Sequence, residues 1–406
     1  MPTVVFAAPI LSENASRMIE AVASLPDVRL GVITQDAAEK LSPASAAKVA
    51  GHWRVDNVLD AGQLSWAAEA LARSLGPIDR LFGAYEQLQV PLAEVRDKMG
   101  ISGMRADVAR RFRDKNEMKD ALRAAALPCA RHQLAETADE AVEFARKVGF
   151  PVVIKPPAGA GAISTFRADD DASLREAVAK AGPRAGHAVL IEEFITGDEY
   201  SLETISIDGR AVWHSLTHYY PTPLEVLRNP WIQWCVVSPR EVDDARYDDI
   251  RQVGSRALEV LGMETGLSHM EWFRRRDGTI AISEVAARPP GAQITTLNSR
   301  AHDIDFVRAW AEVMVFGTFE LPTRKYAVGA AFLRGQGSGR IRRVHGLDEI
   351  GPEIRSLVID ASLPTPGEAP AASYEGDGYI ILRHPETDVV MRALKRLISV
   401  VRVELG

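Results

Sequence analysis

Lys155 closes the apolar run PVVI and is followed by Gly159 and Gly161 in the alanine-rich loop PPAGAGA. Glycine lets backbone approach an anion closely and aim N–H groups at it, and a lysine adds a point charge, so this loop has the chemistry to cover a polyphosphate. The next residues, AISTFRADD, have the pattern of a returning strand, which makes the loop the tip of a hairpin flap and not the start of a helix. A lysine snorkelling at a strand end is the structural alternative. Farther along, Glu271 and Glu284 fall on two strands joined by RRRDGT, with Asp277 and Gly278 at the turn. Both acids have apolar neighbours, Met270 and Trp272 for the first, Ile282 and Val285 for the second. Inward carboxylates on paired strands repel unless a cation joins them, and hard oxygen donors without His or Cys suit magnesium completed by phosphate oxygens. The alternative is an edge hairpin with its acids in water. Arg288 follows in a Pro-Pro-Gly turn, where a guanidinium could clamp a carboxylate or a transferring phosphoryl group.

Two further stretches carry recognition chemistry. AVLIEEFITGDEYS runs from an apolar strand through Glu192, Glu193 and Ile195 to Glu199. A strand exit with one apolar face can pair with an adenine edge, and a carboxylate a few residues on can accept both ribose hydroxyls. An exposed acidic hairpin would have the same composition. HYYPTPLEVLRNPWIQWCVVSPR crowds Tyr219, Tyr220, Trp231 and Trp234 around helix-breaking prolines. It reads as a lid or pocket segment offering aromatic walls to an apolar or aromatic substrate, or else as packing for the lobe or a dimer contact.

These residues need elements to hold them. TVVFAA, VRLGVIT and IDRLFGA alternate with the helical patterns ASRMIEAVASL, SWAAEALARSL and VPLAEVRDKMG, which predicts an open α/β lobe with a parallel sheet. Its first turn lacks G-x-G-x-x-G and G-K-[ST], so that lobe reads as structural or substrate-facing. RDKNEMKDALRAAAL then predicts a helix starting at Asp114. At 406 residues, with 46% hydrophobic and 25% charged residues, the chain suits two or three packed lobes. A net charge of -7 argues against a nucleic-acid partner, and no apolar run is long enough for a bilayer. The two cysteines, Cys129 and Cys235, have no metal spacing, and the opening MPTVVFAAPILSEN reads as strand and turn instead of a signal, so a cytoplasmic protein is expected.

The order of Lys115, Lys155 with its flap, IEEFITGDEYS, HMEWF and SEVAARPPG resembles the ATP-grasp superfamily of carboxylate–amine and carboxylate–thiol ligases. The resemblance implies a mixed α/β and α+β architecture: an N-terminal α/β lobe over 1–104, an ATP-grasp core over 105–325 and a small β-rich cap over 326–406. Within the core it divides a flap lobe, about 125–195, from the remainder, 196–325. By position, Lys115 and Lys155 match the phosphate lysines and Gly159 and Gly161 the flap. Glu192, with the backbone at Glu193 and Ile195, matches the adenine contacts, Glu199 the ribose acid, and Glu271 and Glu284 the magnesium ligands. Many members carry an asparagine two residues after the second metal acid, where this chain has Ala286, and a basic residue where it has His269. The H-x-E and E-x-x-x-R pattern is similar to the L-amino-acid ligase branch, which implies that Arg288 steadies the acyl phosphate or the substrate carboxylate; His269 could orient a substrate or serve as a base, and a satisfied core histidine is the alternative.

The resemblance implies an ATP-dependent ligase that joins a small carboxylate to an amine through an acyl phosphate, with ATP and Mg2+ (or Mn2+) as cofactors and a homodimer as the common assembly. A thiol or bicarbonate co-substrate, and a nucleotide-binding regulator without turnover, are the alternatives.

Overall fold

The computed structural model describes residues 1–159, 164–184 and 186–406. Strands β1 (Thr3–Ala7), β2 (Arg29–Thr34), β3 (Val49–Arg54) and β4 (Arg80–Phe82) form a parallel sheet in the order β3-β2-β1-β4. β1 is buried at every position, as a strand covered on both faces must be. Helix Glu13–Ala23 puts Met18, Ile19 and Val22 against Val4 and Phe6, while helix Ala61–Leu75 puts Leu64, Ala68 and Leu71 against Val5 and Ile33. Ser12 and Asp60 cap these helices by accepting from Ala15 N and Gln63 N. The edge strand β3, VAGHWR, is half-exposed and has too short an apolar run to mark itself in the sequence.

A second sheet holds β5 (His132–Ala135), β6 (Val152–Lys155), β7 (Phe166–Ala168) and β8 (Val189–Glu193) in the order β5-β8-β6-β7, all antiparallel. Helices Ala138–Val148 and Asp171–Ala181 cover one face with Ala141, Phe144, Leu174 and Val178, leaving the other to the cleft. Val152 pairs with Ala168 and Ile154 with Phe166, so the glycine-rich loop is the hairpin tip that the sequence predicts. Residues 160–163, Gly161 among them, lie outside the described residues.

The remaining strands are β9 (Gly197–Ile207), β10 (Arg210–Tyr220), β11 (Trp234–Ser238), β12 (Gly266–Arg275), β13 (Ile280–Ala286), β14 (Ala327–Leu333), β15 (Gly335–Gln336), β16 (Ile341–His345), β17 (Val358–Ser362), β18 (Gly378–His384) and β19 (Arg402–Leu405). Eight of them build one sheet in the order β13-β12-β9-β10-β11-β14-β18-β17, and β15, β19 and β16 form a small sheet beside it. Within 326–406, β14, β17 and β18 therefore extend the large sheet, while β15, β16 and β19 form a sheet of their own. β14 pairs with β11, Trp234 opposite Phe332, and carries the core's sheet onward where β11 would otherwise present a bare edge. Helix Thr387–Val400 closes it, with Val390, Leu394 and Leu397 packed among Ala327, Ala331 and Leu382.

The opposite edge, β13, is flanked by helix Lys115–Ala124, whose Met118 and Leu122 pack with Ile280, Ile282 and Val285. Asp114 caps that helix from Asn116 N and Glu117 N. Among the described residues no helix is long and apolar enough to cross a membrane.

Candidate active site

A cleft between the β5-β8-β6-β7 sheet and the β9–β13 end of the large sheet gathers Lys115, Lys155, Glu199, Glu271, Glu284 and Arg288. The pleat explains how one face collects so much charge. Alternate residues of a strand share a face, and residues opposite one another on paired strands stand side by side. Glu271 lies opposite Glu284 on β13 and opposite Ser201 on β9, His269 opposite Glu203, and Phe273 opposite Glu199. A register irregularity follows Glu271, at the Glu271/Trp272 step, which keeps the two acids paired. The intervening residues Leu202, Met270 and Trp272 are buried on the far face.

Every lysine in the cleft meets a carboxylate. Lys115 Nζ lies 2.8 Å from Glu284 Oε1 and donates to Gly159 O at 2.9 Å. Burial alone would raise the Glu284 carboxyl, but Lys115, Lys155 and Arg288 hold it down to about 2. Lys155 Nζ lies 2.9 Å from Glu192 Oε2. Burial works against its charge, yet the neighbouring Glu192, Glu284 and Glu271 carboxylates raise the ammonium above its ordinary value. Glu199 has the opposite fate: burial, with Glu271 as a like-charged neighbour, pushes its carboxyl well up. A neutral acid at that point could donate as well as accept a hydrogen bond.

His269 sits between two acids, its Nδ1 2.8 Å from Glu203 Oε1 and its Nε2 3.7 Å from Glu271 Oε1. Burial opposes its charge, but hydrogen bonds to Glu203 and Glu271 outweigh that and bring the imidazole to about 9. A charged imidazole at this point would orient a substrate or donate a hydrogen bond to it. Arg288 reaches Glu86 Oε2 at 2.8 Å, and Arg113 takes Glu86 Oε1 at 2.7 Å. Glu86 is a buried residue of the N-terminal lobe, so that lobe fixes the guanidinium from behind.

Glu271 and Glu284, opposed on paired strands in the cleft, offer oxygen donors for a divalent cation. Among the described residues no group of three or more His, Cys, Asp or Glu could hold a metal. Two hard carboxylates fit magnesium, which keeps open positions for phosphate and water, and do not fit a zinc cage.

The recognition residues divide. Glu192 and Ile195 line the cleft, and Glu193 is held by Arg131 and Arg275, with its own N–H donating to Arg131 O. Tyr219 and Trp234 line the cleft and pack ring to ring, centroids 5.4 Å apart. Tyr220 and Trp231 do not. Tyr220 is the neighbour of Tyr219 on β10, so the pleat turns it to the far face beside His218; Trp231 stands 63% exposed in the turn after helix Pro223–Arg228. No aromatic lid forms from this segment: its cleft-facing aromatics are fixed on strands.

Four further residues shape the site without leaving a local signal in the sequence: Glu86, Lys119, Glu203 and Tyr374. Lys119 follows Lys115 by one helical turn and is hidden among good helix formers. Tyr374 comes from the segment before β18, and its ring lies 4.8 Å from that of Trp234.

The chain carries an ATP-grasp domain: the sequence profile of that domain matches residues 120–302. Among individual proteins, the chain is 22% identical to an L-arginine-specific L-amino acid ligase of Bacillus subtilis over 276 residues, 65% of each chain. It is 28% identical to the carbamoyl phosphate synthase large chain of Thermus thermophilus over 182 residues, 44% of this chain and 18% of that one. The chain thus spans less than two thirds of the length of either relative. Its fold superimposes on the crystal structure of an L-amino acid ligase from Bacillus licheniformis with a TM-score of 0.78, at 18% identity, covering 100% and 99% of the two chains. The corresponding score for an N5-carboxyaminoimidazole ribonucleotide synthetase from Thermotoga maritima is 0.68, at 16% identity and full coverage of both.

Proposed function

We propose that the protein is an ATP-dependent carboxylate–amine ligase that forms an amide through an acyl phosphate. The observation that carries this reading is the convergence of Lys115, Lys155, Glu271, Glu284 and Arg288 on one cleft, with the two acids opposed on paired strands. A carboxylate oxygen attacks the γ-phosphorus of ATP, the bond to the bridging oxygen breaks, and ADP leaves. The amine nitrogen then attacks the acyl carbon and phosphate departs with the bonding electrons. Positioning and charge neutralisation carry the first step. Lys115 and Lys155 neutralise phosphate oxygens, and Glu271 and Glu284 would hold magnesium, which would supply positive charge to the phosphates. Arg288, preset by Glu86, offsets the negative charge that grows on the acyl phosphate.

Beyond the phosphate end, the cleft wall is aromatic and aliphatic: Tyr219, Trp234, Tyr374, Leu224 and Ile294. One substrate therefore brings an apolar side chain, and amino acids with such side chains are the first candidates.

The test is ADP and phosphate release with ATP, magnesium and the twenty amino acids singly and in pairs, run beside Glu284→Ala. Release that needs particular amino acids and vanishes in the variant supports the ligase. ATP binding without release under any pair would overturn the amino-acid reading.

A further inference from the structure

Helix Lys115–Ala124 turns two lysines toward the cleft, one turn apart, and only the first lines it. Lys119 lies behind the wall with no exposed surface. Its ammonium donates to Ser283 O of β13 and makes an ionic contact with Glu192 Oε1 of β8 at 3.1 Å. The other oxygen of Glu192 faces Lys155 at 2.9 Å. One buried carboxylate thus stands between two ammoniums, one sealed in the interior and one at the cleft.

We propose that Lys119 is a positioning residue for nucleotide binding: as the permanent counterion of Glu192, it frees Lys155 to move onto the phosphates. This rests on the reading that the cleft binds ATP. A phosphate that draws Lys155 into the cleft takes from Glu192 its cleft-side partner. If it were the sole partner of Glu192, its departure would leave an uncompensated buried carboxylate, which costs far more than a surface ion pair returns. With Lys119 in place the carboxylate stays paired whichever position Lys155 takes. Burial lowers the Lys119 ammonium and Glu192 works against that shift, while Lys119 and Lys155 together bring the buried Glu192 carboxyl below its ordinary value.

The experiment is calorimetric titration of the full chain with ATP and magnesium, using wild type, Lys119→Met, Glu192→Gln and the double variant, each checked for folding by urea denaturation. Lys119→Met should weaken ATP binding roughly 10- to 100-fold. In turnover it should raise KM for ATP more than it lowers kcat. Neutralising Glu192 as well should reverse the loss, bringing the double variant within about threefold of Glu192→Gln. A packing role would not be rescued by a change in charge. Unaltered ATP affinity in folded Lys119→Met would overturn the inference, as would a double variant no better than Lys119→Met. If Lys119→Met yields too little folded protein, the comparison of Glu192→Gln with the double variant still decides. With Glu192 neutral, Lys119 has nothing to counter, and a further large loss on removing it would overturn the inference. Wild type that binds no ATP would overturn the ATP reading itself, a result distinct from all of these.

Discussion

The two faces of β9 and β12 are built from alternate residues of the same strands, yet one is charged and the other is packed. Toward the cleft stand Glu199, Ser201, Glu203, His269 and Glu271; away from it stand Tyr200, Leu202, Met270 and Trp272. The far face is closed by helix Asp248–Leu261, through Ile250, Ala257 and Leu258. Tyr200 stacks on Trp272 with centroids 4.5 Å apart. On the cleft face the partners are polar: His269 lies 2.8 Å from Glu203 and 3.7 Å from Glu271, Thr217 Oγ1 donates to Glu203 Oε2 at 3.3 Å, and Lys115, Lys155 and Arg288 line the same cleft from other parts of the chain. Stability and chemistry are thus separated by a single residue step, and substitutions one position apart should fail in opposite ways.

The largest contrast is between Glu284 and Trp272. Glu284→Ala should cost at least about a hundredfold in turnover, since it removes one of the two carboxylates proposed to hold magnesium on the phosphates, while leaving the urea midpoint near that of wild type. Trp272→Ala should cost about 3–5 kcal/mol of stability, measured by urea unfolding, while the folded fraction still binds ATP. Equal stability losses in both would break the division of the two faces.

A smaller effect comes from His218 on the far face, held between Tyr247 OH at 2.9 Å and Tyr220 OH at 3.1 Å. Burial, with Arg246 nearby, lowers its imidazole from 6.5 to about 4. The folded value lies below the unfolded one, so the unfolded chain takes up the proton first. The stabilisation is present above the unfolded value and is lost as pH falls toward the folded one, by about 2–3 kcal/mol in all. Urea midpoints at pH 7 and near pH 4.5 should therefore differ less in His218→Gln than in wild type.

Smallest of all should be Trp231→Ala: an exposed turn residue changes stability by less than about 0.5 kcal/mol. Trp234→Ala, its neighbour in the cleft wall, should raise KM for an apolar substrate. Steady-state kinetics with both variants sharpens the contrast between the strand-held aromatic and the turn aromatic.

Much of the cleft was legible in the sequence because its signals are local. An Asp-Gly turn between two alternating strands sets Glu271 against Glu284, and a lysine at a strand end before glycines marks Lys155 and the flap. What lay hidden depends on partners far away in the chain. Glu86 matters only because Arg113 and Arg288 reach it, and Lys119 only because Glu192 and Ser283 do. Strand order across the large sheet is equally non-local, so nothing in 326–406 announces that β14 will pair with β11. Tyr220 and Trp231 were grouped with Tyr219 and Trp234 by nearness in sequence, and the pleat and a turn part them.

The central claim is that the cleft activates a carboxylate as its acyl phosphate, and hydroxylamine tests it directly by capturing that species as a hydroxamate. With ATP, magnesium, hydroxylamine and each amino acid in turn, hydroxamate should accumulate in step with ADP for those with apolar side chains, and be absent with Glu284→Ala. ADP released without hydroxamate from any of them would contradict the account.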